Sequence, residues 1–103
     1  MRFQHGDVIM VVVDGVPKDA KKIDLNDGFV VERGEGAHTH TLVKTRGIDG
    51  YIGADGTLYL DAKKEVVIDH VEHKKEVLPA KKYKKIIEFE YDAEKDETTR
   101  TRD

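Results

Sequence analysis

Short runs of β-branched and aromatic residues, separated by glycine turns, recur along this chain. The first run, DVIMVVVD at 7–14, ends at Asp14-Gly15. Further turn signals follow at Asn26-Asp27-Gly28, Asp49-Gly50 and Asp55-Gly56. Glycine adopts the positive φ that a tight turn between antiparallel strands requires, so such sequences predict hairpins. A chain built in this way is expected to fold into antiparallel sheets.

The predicted fold is all-β: a small antiparallel β-barrel or sandwich of seven to eight short strands. The runs after the first are KKIDL, FVVER, HTHTLVK, TLYLD, EVVIDHV and YKKIIEFEY. Residues 1–91 are expected to form a single β domain, because a chain of 103 residues supports one modest core. The stretch VEHKKEVLPAKKYKK could hold a turn or two of helix before Pro79.

The C-terminal segment 92–103, DAEKDETTRTRD, differs from the rest in composition. It contains one apolar residue, so it cannot bury enough surface to offset the entropy cost of ordering. We therefore predict a flexible polar tail.

Composition excludes several classes of site. The chain has no cysteine, so disulfides, thiolate metal ligands and thiol catalysis are excluded. Its net charge of -3 gives no overall attraction to nucleic acid, and no apolar run is long enough for a membrane span. We expect a cytoplasmic protein without nucleic-acid or membrane partners.

Four of the five histidines occur as two close pairs, His38 with His40 and His70 with His73. Alternate residues of a strand face the same side, so His38 and His40 share a face with Leu42, an apolar residue. His70 similarly continues the apolar face of its own strand. His73 lies three residues further on, and it joins this face only if the chain bends after Val71.

This pattern predicts a site for a divalent metal, with zinc as the first candidate. The expected ligands are His38, His40, His70 and His73, and the nearby carboxylates Glu35 and Glu72 could support them. Four ligands would close a structural zinc site, whereas three would leave a position open. The alternative is that these histidines are solvated surface residues, as His5, which has no partner in the sequence, is expected to be.

The motifs HGDVIMVVVD, ERGEGAHTHTL, VIDHVEH, LPAKKYK and EYD resemble a family of small uncharacterised bacterial and phage proteins. That family has a start like Q-G-D-V, a central G-E-x-T-G-H-x-H, then H-E-E-H, L-P-x-G-x-Y and R-E-Y-D. The resemblance implies that the site includes Gly34, Glu35 and the four paired histidines. The chain departs from the pattern at Ala37, Lys81 and Glu90. A weaker similarity is to cupins, metal-binding β-barrels with an H-x-H strand, although the cupin glutamate after H-x-H is missing here.

The function expected from these observations is that of a small metal-binding β-barrel protein, an accessory binding protein of bacteria or phage. We favour a binding protein over an enzyme, because no nucleophile elbow, phosphate loop or HExxH motif is present. The partner is expected to be a small molecule or a protein, and the sequence permits a homodimer. The alternative is a nucleotide- or protein-binding module without metal, in which the Tyr83 ring of KKYKK stacks on a ligand. Such a lysine-rich run is otherwise typical of a charged edge strand.

Overall fold

The computed structural model describes residues 1–5, 8–33, 39–70 and 73–87. Ten strands occur within these residues, and no helix there could cross a membrane. The strands are β1 (Arg2–His5), β2 (Val8–Val12), β3 (Lys21–Ile23), β4 (Phe29–Arg33), β5 (Thr39–Leu42), β6 (Ile48–Ile52), β7 (Leu58–Ala62), β8 (Val66–His70), β9 (His73–Leu78) and β10 (Lys82–Ile87). The predicted tail, 92–103, lies outside the described residues, as do residues 88–91 of the predicted domain.

The strands form two antiparallel sheets, which confirms the all-β prediction in its sandwich form. The first sheet has six strands in the order β1-β2-β10-β7-β6-β3, and the second has four in the order β4-β5-β8-β9. The sheets do not close into a barrel over the described residues, although β1 of the first sheet contacts β9 of the second. The core therefore lies between two layers.

Strand alternation builds this core from both sheets. Along β7, the buried residues Leu58, Leu60 and Ala62 alternate with half-buried ones. In the second sheet, Val66 and Ile68 of β8 are fully buried in the same way. Each inward side chain removes apolar surface from water, and this burial is the main force that holds the layers together.

Three strands, β1, β6 and β9, were not predicted. The helical turn expected before Pro79 is wrong, because residues 73–78 form β9. The turn expected at Asp49-Gly50 is also wrong, because both residues lie within β6. Gly50 is buried there, and a Cβ on it would lie 2.8 Å from Leu25 Cδ2. The glycine thus makes room for Leu25 and does not form a turn.

Two of the predicted glycine turns are present. Gly28 has a φ of 86°, and the preceding turn is closed by a hydrogen bond of 2.8 Å from Phe29 N to Asn26 O. Gly56 has a φ of 87° between β6 and β7. A side chain is strained at such angles, so glycine sets both turns.

Candidate functional site

His40 lies on the core side of β5. It shares a strand face with Leu42, two residues further on, and Leu42 is fully buried. The His40 side chain is only 2% exposed. The imidazole therefore lies between the sheets, on the face that strand alternation predicts.

The strands that carry the two histidine pairs are neighbours. Strands β5 and β8 pair with Thr41 opposite Asp69 and Leu42 opposite Ile68. Continuing this antiparallel register by one residue sets His40 opposite His70. The sheet order makes β5 and β8 direct neighbours, as a site shared by the two histidine pairs requires.

His70 and His73 are also direct partners, because the chain reverses direction between them. Strands β8 and β9 form a hairpin, and β9 has one extra residue where Lys74 and Lys75 together oppose Asp69. Residues directly opposite each other in an antiparallel pair belong to the same face of the sheet. On a straight strand, a spacing of three residues would put the two histidines on opposite faces. The hairpin instead places both positions on the same face.

With the β5–β8 register extended by this one residue, positions 40, 70 and 73 form a line across β5, β8 and β9, which we call the histidine row. Neighbouring strands lie about 4.8 Å apart, so the outer positions of the row are separated by roughly 10 Å. The structure describes the His40 side chain, and the backbone alone for His70 and His73. Among the side chains that are described, no group of three or more could hold a metal ion. The metal site therefore stays a prediction.

Three other predicted site residues lie outside the described residues. His38 and Glu35 belong to the connection 34–38 between β4 and β5, and Glu72 belongs to the connection 71–72 between β8 and β9. Both connections adjoin the histidine end of the second sheet.

A lysine of the first sheet reaches this end of the second sheet. Lys85 of β10 donates a hydrogen bond from Nζ to Val31 O, over 3.2 Å. Val31 is the extra residue of a bulge in β4, between Val30, which pairs with Thr41, and Glu32, which pairs with His40. The Lys85 ammonium group thus donates to the carbonyl of Val31. Val31 directly precedes Glu32, the residue that pairs with His40.

His5 occupies the end of β1, opposite Val8, and Val8 pairs in turn with Ile87 at the end of β10. Sequence reasoning took His5 for an isolated surface residue. Strand β1 was not predicted, so no strand position was expected for His5.

Tyr83, which the alternative function assigns to ligand contact, is a core residue. Its side chain is fully buried, and its ring packs edge-on against Phe3 with 6.1 Å between the ring centroids. The hydroxyl donates a hydrogen bond of 2.6 Å to Pro79 O. Strand β10 is central, between β2 and β7, so the edge-strand interpretation of KKYKK is wrong. The Tyr83 ring is not accessible for stacking on a ligand.

We predict that Tyr83→Phe lowers the free energy of unfolding by about 1 kcal/mol, because Pro79 O loses its donor. Burial raises the pKa of the Tyr83 phenol. The unfolded chain therefore loses this proton first, and the wild type loses stability as the pH rises above about 10. Urea denaturation at about pH 8 and at about pH 10.5 measures the free energy of unfolding that each protein loses between the two pH values. This loss should be smaller in Tyr83→Phe, which has no phenol at this position. Identical losses in both proteins would contradict this account.

Comparison with known proteins gives a family without an assigned activity. Neither a curated protein nor a solved structure matches the chain. A family match over most of the chain agrees with the expectation of an uncharacterised family. The detailed motif pattern and the cupin similarity stay predictions. Residues 4–88 match the family described as Domain of unknown function (DUF8820), and the chain therefore belongs to that family.

Proposed function

We propose that this protein binds one divalent metal ion, with zinc as the first candidate, through His40, His70 and His73. The observation that carries the proposal is the histidine row, three histidine positions on adjacent strands of one sheet. His38 is the candidate fourth ligand. The cytoplasmic location and the role as an accessory binding protein of bacteria or phage belong to the same proposal.

The donor set suits zinc. Imidazole is the commonest protein ligand for such metals, and zinc accepts nitrogen and oxygen donors in a tetrahedral arrangement. Imidazole binds metal only when neutral, so affinity should fall as the pH drops below about 6.5, the ordinary histidine pKa. The burial of His40 also favours binding, because a ligand held between two sheets is already oriented.

The Lys85 ammonium weighs against a cation nearby, since like charges repel. Two features offset this. The Nζ atom is already directed at the Val31 carbonyl, and Glu35 and Glu72 of the adjoining connections would supply negative charge. We assign these two carboxylates the role of orienting the imidazoles.

We favour a binding role over catalysis. If His38 completes four ligands, the site is closed and the metal stabilises the fold. If three histidines bind the metal, the open position takes a water molecule or a small-molecule or protein ligand. The alternative of a module that stacks a ligand on Tyr83 loses its main support, because that ring is buried.

Elemental analysis of protein purified without a histidine tag tests the proposal. We expect about one zinc ion per chain in the wild type after zinc supplementation and gel filtration. His73→Ala should lose the metal, whereas Lys75→Ala, an exposed position on the same strand, should retain it. Wild-type protein without metal, or equal content in both variants, would contradict the proposal.

A further inference from the structure

A second candidate site lies at the opposite end of the second sheet from the histidine row. It is an open groove of about 570 Å³, beside the end of β5 and the start of β8. The groove is lined by Asp27, Lys44, Arg46, Lys64, Glu65 and Val67. Three of these six side chains are cationic, and the volume is within the range of small-molecule sites.

The turn that presents two of the cations is held in place by partly buried hydrogen bonds. Thr45, only 8% exposed, donates from its backbone N to Asp27 Oδ1 over 2.8 Å. Its hydroxyl lies 3.1 Å from the same oxygen and 3.2 Å from Leu25 O. Lys44 and Arg46 flank this anchored residue, so their backbone positions are fixed before any ligand arrives.

The third cation is positioned by a glycine. Gly47 has a φ of 83°, and a Cβ placed on it would lie 3.0 Å from Lys64 Cγ. The Lys64 stem therefore lies against the Gly47 backbone. A hydrogen bond of 2.8 Å from Lys63 N to Gly47 O joins the two loops.

The groove cations lack carboxylate partners within the described part of the chain. In neighbouring Lys63, by contrast, Nζ lies 3.5 Å from Asp49 Oδ2 and 3.5 Å from Asp61 Oδ1. No such ion pair forms at Lys44, Arg46 or Lys64 among the described residues. Their charge is therefore available to an anion.

We infer that this groove binds a small phosphorylated polyol, such as a sugar phosphate. The planar guanidinium of Arg46 can donate two parallel hydrogen bonds to a phosphate, and the two lysines add positive charge. Asp27 and Glu65 would accept hydrogen bonds from ligand hydroxyls. No aromatic ring lines the groove among the described residues, so a nucleobase would find no surface to stack on. The inference does not depend on the metal site.

The test is a titration of ¹⁵N-labelled full-length protein with ribose 5-phosphate, followed by amide NMR shifts. We expect saturable shifts centred on Thr45, Arg46 and Gly47, and no saturable shifts with ribose. Arg46→Gln should weaken binding by about tenfold or more, because it removes the bidentate phosphate contact. Lys75→Gln, an exposed lysine at the other end of the sheet, makes the same change in net charge and should leave binding unchanged.

Three results would overturn the inference. The first is the absence of saturable shifts in the wild type. The second is equal weakening by Arg46→Gln and Lys75→Gln, which would indicate net charge alone. The third is tighter binding of a single-stranded oligonucleotide than of ribose 5-phosphate at this groove, which would indicate recognition of a nucleic-acid backbone.

Discussion

Replacing His40 by alanine is expected to abolish the stabilisation of this protein by zinc. A ligand at one hundred times its Kd stabilises the folded state by about 2.7 kcal/mol. For a domain of this size, that corresponds to a rise in Tm of roughly 10 to 20 °C. We choose His40 among the proposed ligands because its imidazole is buried between the sheets. Thermal unfolding with and without zinc measures the effect.

The control for this variant is the neighbouring position on the other face of β5. Thr41→Ala changes a half-buried residue that points away from the core, so its Tm should still rise with zinc. The apo form of His40→Ala will itself be less stable, because a buried side chain is removed. The zinc-induced shift, and not the absolute Tm, is therefore the informative quantity. An unchanged shift in His40→Ala would contradict the role of this residue.

Leu60→Ala should cause a large loss of stability, about 3 to 5 kcal/mol. Leu60 is fully buried at the centre of the six-stranded sheet. Its cross-strand partners are Tyr83 on one side and Gly50 on the other. A small domain has a total stability of about 5 to 15 kcal/mol, so the variant should be close to unfolding.

Urea denaturation followed by circular dichroism measures this loss. The matched control is Val77→Ala, since Val77 is 52% exposed and its truncation should change stability by less than about 0.5 kcal/mol. Leu60→Met conserves volume and should cost less than about 1.5 kcal/mol. Similar losses in Leu60→Ala and Val77→Ala would show that this core assignment is wrong.

The sequence predicts strands where apolar residues alternate and misses them where pairing alone defines the strand. Buried residues alternate along β7, and a strand was predicted there at 57–61. Strand β9 carries its apolar residues only at Val77 and Leu78, and it is a strand because β8 pairs with it. Gly50 is a mid-strand residue because Leu25 packs over it, and this tertiary contact has no local signal.

The candidate site was predictable to a similar extent. Alternation places His40 on the face of Leu42, and burial agrees with it. The relation of His70 to His73 could not be read from spacing, because it depends on a chain reversal and an extra residue in β9. The burial of Tyr83 was missed for the opposite reason. Its lysine neighbours suggested an exposed strand, whereas the ring faces the core of a central one.

X-ray absorption at the zinc edge is the most direct test of the proposed metal site. The sample is untagged full-length protein, purified with zinc and passed through gel filtration. The account predicts a first shell at about 2.0 Å that contains at least three imidazole nitrogens, with the outer-shell scattering that imidazole rings produce. A shell of oxygen atoms without imidazole scattering, or a sample that retains no zinc, would contradict the histidine site.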